Sequence, residues 1–506
     1  MIRKLLVANR GEIAVRVIRA AREMGIATVA VASEADRSSY HALLADECVV
    51  IGQSEASVSY LDQAKVLEAA RTTGADAVHP GYGFLSERSS FARACRDAGL
   101  VFVGPSPEAM DRLGAKIDAK RLAEESGVPL VPGFFVHGAS NDDLRNAAEG
   151  IGYPILLKSS AGGGGRGMRI VRKPSDFDAE LATARDEAMK GFGDDEMMVE
   201  KLIERPRHIE VQFIADSQGQ VACLFERECS VQRRHQKLIE ESSSTAMTQP
   251  LWDAFRDATV RLVQASGYTN AGTAEFMFDA SAEEFYFLEV NARLQVEHPV
   301  TEAVTGVDLV QWQLRVASGE VLDLGEALLL GDRSALRGHA IEARIVAEDP
   351  ARGFLPSTGR VVGWAEPRGP GIRFDTGLRE GDEVTRYYDS LIAKLIVHAE
   401  DRPSAIRRLR AALADTHILG VQTNIAFLLD ISDTAEFERG EVDTGYVDRE
   451  MGGWSPASGI PEELGALVAA ATNSAQPANA GSKVPSNPAW AALDGFRNAP
   501  ISTQVG

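Results

Sequence analysis

The chain's 506 residues, 44% hydrophobic and 25% charged, supply enough apolar material for more than one domain core. Lysine and arginine number 53 against 73 acidic residues, and the net charge of −20 argues against nucleic acid or an anionic membrane as the main partner. Cys48, Cys95, Cys223 and Cys229 lie scattered without a C-x-x-C pair, which speaks against a disulfide framework or zinc site, and no apolar run reaches the roughly 18 residues of a membrane span. With no signal-peptide pattern at the N-terminus, a cytoplasmic protein is expected.

Residues 2–7 read as a strand, 8–11 as a turn, and 12–24 as a helix with Ile13, Val17, Ala20, Ala21 and Met24 on one face. Strands at 27–32, 49–51, 77–79 and 100–103 alternate with helices at 60–73 and about 86–98, the pattern of an open, mostly parallel sheet. Near residue 114 a second unit opens, in which strands come in pairs: 155–158 with 168–171, 209–215 with 221–226, and 273–278 with 285–290. That is an α+β pattern. A third unit begins near residue 338, with turns at Gly369-Pro370-Gly371 and Gly381-Asp382, a strand at 391–398 and a helix at 403–414. From 455 to 488 the composition shifts to Ala, Ser, Pro, Gly and Asn, as in a linker.

Residues 158–169, KSSAGGGGRGMR, set four glycines, an arginine and Gly167 between two short apolar stretches. Glycine lets successive N–H groups turn toward an anion because no Cβ obstructs the approach. Gly162, Gly164 and Gly167 satisfy G-x-G-x-x-G, but residues 168–171 read as a strand where a dinucleotide fingerprint needs a helix. A P-loop is disfavoured because no Gly-Lys-Ser or Gly-Lys-Thr follows. What remains is a strand-loop-strand hairpin covering a nucleoside triphosphate, with Lys158 closing the first strand to meet a phosphate. The plainer alternative is a glycine-rich surface loop.

With its turn centred near Ala282, the last hairpin of the second unit sets Glu275 opposite Glu289, and alternation puts Asn291 and Arg293 on the same face. Opposed carboxylates repel, and a hard divalent cation completed by substrate phosphates relieves the repulsion; two solvent-facing glutamates are the alternative. In residues 291–302, NARLQVEHPVTE, Glu297 beside Arg293 is either a general base near an anion site or half of a salt bridge, and His298 is as readily structural as functional. The run Arg233-Arg234-His235-Gln236-Lys237 is a solvated face or an anion pocket. Arg16, Arg19 and Glu23 form one charged stripe on the first helix.

Taken in order, ANRGEIA at 8–14, HPGYGFLSE at 79–87, GPSP at 104–107, the glycine loop, RHIEVQ at 207–212, QRRHQK at 232–237, the 291–302 run, Arg344 with AEDP at 347–350, and YYDS at 387–390 resemble the biotin carboxylases. The resemblance runs from residue 2 to about 446. It implies an ATP-grasp fold of mixed α/β and α+β class: a Rossmann-like N-terminal domain at 1–114, an ATP-grasp domain at 115–330 with a mobile lid at about 131–204, and a C-terminal biotin carboxylase domain at 331–447. A linker at 448–489 and the possible start of a following domain at 490–506 complete the division.

By motif match, Lys116, Lys158, Gly162, Gly163, Gly164, Gly165, Gly167, Glu200, Ile203, His208, Gln232 and His235 are implied to bind ATP. Glu275, Glu289 and Asn291 are implied to hold Mg²⁺ or Mn²⁺. Lys237 and Arg293 are implied to grip bicarbonate, Glu297 to deprotonate it, and Arg344 to contact the ureido group of biotin. The implied reaction is ATP-dependent carboxylation of carrier-bound biotin through carboxyphosphate, the first half-reaction of an acyl-CoA carboxylase. Another bicarbonate-using ATP-grasp ligase and a non-catalytic structural subunit are the alternatives.

Three departures from the family pattern stand out: Ser242-Ser-Ser-Thr-Ala-Met247 where a proline-rich segment is usual, Ala292 for threonine, and Arg88 for asparagine. The AMKG at 188–191 is a chance partial match to a carrier motif, since it ends a helical stretch. Biotin is therefore expected on a separate carrier domain or protein, with a carboxyltransferase subunit as further partner and a homodimer through the N- and C-terminal domains. WAALDGFRN at 490–498 resembles the opening of the domain after the linker in propionyl- and methylcrotonyl-type α subunits.

Overall fold

Apolar runs bounded by glycine turns build the first layer. In a computed structural model that describes residues 1–160 and 167–456, β1 (Lys4–Val7), α1 (Gly11–Glu23), β2 (Ala27–Ser33), β3 (Glu47–Gly52), α2 (Gln63–Thr73), β4 (Ala77–His79), α3 (Ser89–Asp97) and β5 (Val101–Phe102) follow one another. The five strands make an all-parallel sheet in the order β3-β2-β1-β4-β5. Its centre is covered on both faces, which is why Leu5, Leu6 and Val7 run without polar alternation.

Helix α1 buries the expected Ile13, Val17, Ala20 and Ala21, but its charged stripe is divided. Arg19 and Glu23 face outward, whereas Arg16 is buried with Nη2 2.8 Å from both Glu302 and Asp308. Helix α2 starts three residues later than expected because the Asp62 side chain accepts from the Lys65 N–H and caps it there. Helix α3 starts at Ser89, and Arg88 occupies its N-cap without a side-chain cap hydrogen bond.

After α4 (Lys116–Glu125) come β6 (Gly133–Phe134), β7 (Ile155–Ser159), β8 (Met168–Val171), α5 (Phe177–Phe192) and β9 (Met197–Lys201). They form an antiparallel sheet in the order β6-β9-β7-β8 around a core of its own that includes Leu144, Leu157, Phe177, Leu181 and Val199. The hairpin pairs as the alternation predicts, Ile155 with Val171 and Lys158 with Met168. Gly162, Gly163, Gly164 and Gly165 lie outside the described residues. Gly167 is described, with a φ of +71° and a Cβ position that would stand 3.1 Å from the Ser159 Cβ.

The longer of the remaining strands are β10 (Arg207–Ala215), β11 (Val221–Arg233), β12 (Gln236–Ser242), β13 (Asn270–Asp279), β14 (Glu284–Asn291), β15 (His339–Val346), β16 (Ile372–Thr376) and β17 (Leu391–Ala399). Between them lie α6 (Gln249–Ser266) and α7 (His298–Thr305), and α8 (Arg402–Ala414) follows. All eight strands join one antiparallel sheet in the order β14-β13-β10-β11-β12-β15-β17-β16. The third stretch of the sequence thus extends the sheet of the second through the β12–β15 pairing and adds three two-stranded sheets of its own.

Helix α6 covers one face with Trp252, Phe255 and Leu262 against Ile209, Val211, Phe213 and Phe276. Every residue of β10 is buried, so the alternate residues His208, Glu210 and Gln212 form a polar face closed off from bulk water. Residues 1–455 make one compact unit. Most of the predicted linker and the WAALDGFRN segment lie outside the described residues. Among the described residues no helix is long and apolar enough to cross a membrane.

Asparagine is among the preferred N-cap residues and arginine offers no acceptor. Arg88→Asn is expected to stabilise the chain by about 1 kcal/mol, read as a higher urea midpoint; an unchanged midpoint would show that the α3 terminus contributes nothing to global stability.

Candidate active site

Four charged residues form one row across adjacent strands: Arg227 on β11 opposes Glu210, Glu210 opposes Glu275, and Glu275 opposes Glu289. Directly paired positions share a sheet face, so three carboxylates stand side by side with a single arginine at one end. The predicted opposition of Glu275 and Glu289 is met through a bulge that takes up Leu288. Unpaired charges cannot be buried at this density, and the chain supplies cations from three other places.

Lys237, reaching in from β12, sets its Nζ 2.6 Å from Glu210, 3.1 Å from Glu275 and 2.5 Å from Glu297. His208 Nε2 is 3.0 Å from the other oxygen of Glu275. Burial opposes the charged imidazole, but the Glu275 carboxylate outweighs it and holds His208 above its ordinary value. Arg344 donates from Nη2 to Glu297 at 2.9 Å and from Nε to Glu240 at 2.5 Å. Burial alone would raise the Glu297 carboxyl, yet Lys237, Arg344 and Arg227 together hold it well below the usual range, so it is ionised.

Glu297 sits at the N-cap of α7, where the loop from β14 delivers it against β12 and β15. The expected alternative of a Glu297–Arg293 salt bridge is not what forms. Arg293 donates to Asn291 at 2.7 Å and lies 3.2 Å from Glu87, because the backbone leaves the strand after Asn291. His298 is fully buried with Nδ1 2.8 Å from the Gln295 carbonyl, and burial keeps its ring well below its ordinary value, a neutral structural histidine.

Across the cavity the charge has the opposite sign. Lys120 Nζ is 2.6 Å from Glu200, and Lys158 contacts the other oxygen of the same carboxylate. Burial pushes the Glu200 carboxyl up, but the two ammonium groups overcome it and set it at about 2. Lys116 joins them, and burial, reinforced by Lys158, holds its ammonium below its ordinary value. Three lysines gathered around one carboxylate leave a positive surplus, which suits a polyphosphate.

One cavity of about 1130 Å³ lies between the two groups, lined by Lys116, Lys158, Ile203, His208, Gln232, His235, Lys237, Glu275, Glu289, Asn291, Arg293, Glu297 and Arg344. Glu200 stands behind Lys158 rather than in the wall. Of the basic run at 233–237, only Lys237 turns fully inward, while Arg233 stacks on Phe354 at 3.7 Å. Glu275, Glu289 and Asn291 fit a hard divalent cation: they offer oxygen donors on one sheet face, and burial plus the Glu275 charge hold the Glu289 carboxyl above its usual range, as expected where an opposing positive charge is wanting.

The sequence reading missed Glu210, Lys120 and Arg227. Glu210 was legible, since alternation in RHIEVQ puts it between His208 and Gln212 on one face. Arg227, fully buried, donates to Glu210, Gln212, Thr301, Thr273 and Gln295, and Gln295 donates in turn to Glu275 at 2.6 Å. Its signal was an arginine inside a strand whose neighbours are all buried. The departure at 242–247 leaves Lys237 in place: Ser244 donates to Glu228 at 2.6 Å and Ser242 to the Glu226 carbonyl at 3.1 Å, so the serines serve buried acceptors beside the sheet.

The comparisons with known proteins decide the family. Residues 1–110 match the biotin carboxylase N-terminal domain, 115–325 the carbamoyl-phosphate synthase L chain ATP-binding domain, and 342–449 the biotin carboxylase C-terminal domain. The chain belongs to the biotin carboxylase family. A biotin carboxylase from a Nostoc strain is 48% identical over 444 residues, covering 88% of this chain and 98% of its own. The methylcrotonoyl-CoA carboxylase α subunit of Rattus norvegicus is 48% identical over 447 residues, and the match spans 62% of that longer protein.

Among solved structures, the biotin carboxylase domain dimer of Hydrogenobacter thermophilus 2-oxoglutarate carboxylase, in complex with MgADP, ADP and bicarbonate, superposes with a TM-score of 0.86 at 42% identity, covering 90% of this chain and all of that one. The biotin carboxylase of Campylobacter jejuni gives 0.85 at 41% identity, covering 89% and 99%. The chain shares their ATP-grasp architecture over 89–90% of its length.

Removing one partner of a buried charge pair costs about 3–5 kcal/mol. Arg227→Met is expected to lose that much in urea unfolding, and a loss under about 1 kcal/mol would contradict its place at the centre of the network. Because the folded Glu200 carboxyl lies at about 2 against 4.5 for the free group, the stability it adds is complete above pH 4.5 and fades as pH falls toward 2. The stability gap between wild type and Glu200→Gln should therefore close between those values, and a gap independent of pH would refute the assignment.

Proposed function

We propose that this chain carboxylates biotin presented on a carrier domain or protein, using ATP and bicarbonate, as the first half-reaction of an acyl-CoA carboxylase. The observation that carries the proposal is one cavity with a lysine-rich wall facing an acidic, metal-fitting wall, with Lys237, Glu297 and Arg344 hydrogen-bonded in series at its end. The lysine wall, with Lys116 and Lys158, takes the ATP phosphates, while Ile203, His208, Gln232, His235 and the glycine loop complete the nucleotide site. The sheet formed by β6 to β9 acts as the lid, supported by its separate core. Glu275, Glu289 and Asn291 hold Mg²⁺ or Mn²⁺, which neutralises phosphate charge during transfer.

Lys237 and Arg293 bind bicarbonate. Glu297 takes its proton, a bicarbonate oxygen attacks the γ-phosphorus, and the bond to ADP breaks to give carboxyphosphate. Carboxyphosphate splits into CO₂ and phosphate, the phosphate accepts the N1′ proton of biotin, and the nitrogen attacks CO₂ while Arg344 stabilises the ureido anion. Water exclusion is needed because carboxyphosphate hydrolyses.

Glu297 is a weak base while Lys237 and Arg344 both hold it. Bicarbonate drawing on Lys237 and biotin drawing on Arg344 relieve it of positive charge and raise its basicity only when the substrates are present. A carboxyltransferase subunit, a homodimer of this chain and a cytoplasmic location complete the proposal; the four cysteines, none in a disulfide, agree with a reducing compartment.

The test is ADP release with Mg²⁺ and bicarbonate, with and without free biotin, following fixed bicarbonate in parallel. Biotin-stimulated turnover with carboxybiotin formed is expected; ATP cleavage indifferent to biotin would point to another ligase, and no cleavage to a structural subunit. Glu297→Ala and Lys237→Gln should each lose on the order of 10²–10⁴-fold in carboxybiotin formation while circular dichroism stays native. Near-wild-type turnover in either would remove that residue from the mechanism.

A further inference from the structure

Behind Arg344 lies a second group of charges that the proposed reaction does not use. Glu240 on β12 and Glu342 on β15 are directly paired positions on one sheet face, and both are fully buried. Glu240 spends Oε1 on Arg344 Nε. Its Oε2 and both oxygens of Glu342 have no hydrogen-bond partner among the described residues. Two ionised carboxylates at opposed, fully buried positions, with Cβ atoms about 5 Å apart, repel strongly.

The groups facing Glu342 are Glu240 from β12, Arg344 two residues along its own strand, Lys394 opposite Arg344 on β17, and Glu297 from the start of α7. Lys394 is already engaged, with Nζ 2.9 Å from the Val296 carbonyl and 3.3 Å from Glu12. The cheapest resolution is one proton shared by the two acids, since a protonated carboxyl donates where an ionised one cannot. In agreement, burial with the surrounding carboxylates lifts Glu240 to about 7 and Glu342 well above the usual range.

We propose that Glu240 and Glu342 hold one proton between them, and that the single negative charge this leaves aims the Arg344 guanidinium at the biotin ureido oxygen, making Glu240 a positioning residue for the biotin half of the reaction. The inference rests on the biotin role assigned to Arg344. A neutral pair would lose the anchor on Nε, and a doubly charged pair would pull Arg344 back into the sheet.

The test uses the full chain and two neutral isosteres, Glu240→Gln and Glu342→Gln, with free biotin as probe. Two reactions are measured: bicarbonate-dependent ATP cleavage without biotin, and carboxybiotin formation as a function of biotin concentration and pH. Glu240→Gln is expected to raise KM for biotin at least about tenfold while biotin-independent ATP cleavage moves less than about threefold, with Glu240→Asp recovering part of the loss. Glu342→Gln replaces an acid that already carries the proton. It should stay within about threefold at pH 7.5 and lack the alkaline decline in kcat/KM for biotin that is expected of the wild type as the shared proton leaves.

Equal losses of both reactions in Glu240→Gln, or an unchanged KM for biotin, would overturn the proposal. So would a Glu342→Gln variant with the wild-type pH profile, and this arm decides the matter even if Glu240→Gln fails to fold. The underlying reading fails separately, and visibly, if Arg344→Lys leaves KM for biotin unaltered.

Discussion

The Lys237 ammonium is the charge on which the site depends. It lies within hydrogen-bond reach of Glu210, Glu275 and Glu297, which come from β10, β13 and the start of α7. In a sealed, polar environment the attraction between one ammonium and several carboxylates is strong, and so is the penalty for leaving any of them unpaired. Burial disfavours the Lys237 charge, yet the surrounding acids hold its ammonium well above its ordinary value. A lysine fixed as a cation in this way cannot serve as a base, which agrees with the proposed assignment of proton abstraction to a carboxylate it touches.

The same constraint explains the shape of the network around it. Arg227 neutralises the far end of the carboxylate row, and its five donors reach both the row and the loop that carries Gln295. The planar fork of an arginine meets several acceptors in fixed directions at once, which one rotating ammonium does not. One strand face is thereby tied to the loop that delivers Glu297, so Glu297 is positioned by the sheet and not by its own short helix.

How much of this the sequence reveals depends on whether the signal is local. Period-2 alternation fixes the Lys158–Met168 hairpin and the polar face of β10, because strand register follows from neighbours in the chain, whereas the Glu275–Glu289 opposition also needs the bulge at Leu288, which alternation does not reveal. The first helix is legible in its apolar face but not in Arg16, whose partners Glu302 and Asp308 are close only in the folded chain. Pairings over long separations, such as Lys120 with Glu200 or Arg344 with Glu240, leave no periodic trace. Nor does the joining of β12 to β15, which carries one sheet across what the composition reads as two units. The serines at 242–247 illustrate the limit: a departure from the family's pattern marks the position, and only the Glu226 carbonyl and the buried Glu228 carboxylate beside it show what hydroxyls do there.

The opposed walls of the cavity carry the last step of the argument. Lys120 and Lys158 share the Glu200 carboxylate, while Glu210 and Glu275 take Arg227, Lys237 and His208 at one end of their row and leave Glu289 at the other. The charge along each wall is unevenly matched at one residue: burial with Lys158 depresses Lys116, and burial with Glu275 raises Glu289. Lys116 and Glu289 relieve each other only in part, since the one stays depressed and the other raised. A polyanion carrying its own divalent cation relieves both together, phosphates toward the lysines and metal toward the acids. Binding energy held back in this form becomes available only when nucleotide and cation arrive as one unit, and the site is thereby matched to the charge pattern of metal-bound ATP rather than to a free anion.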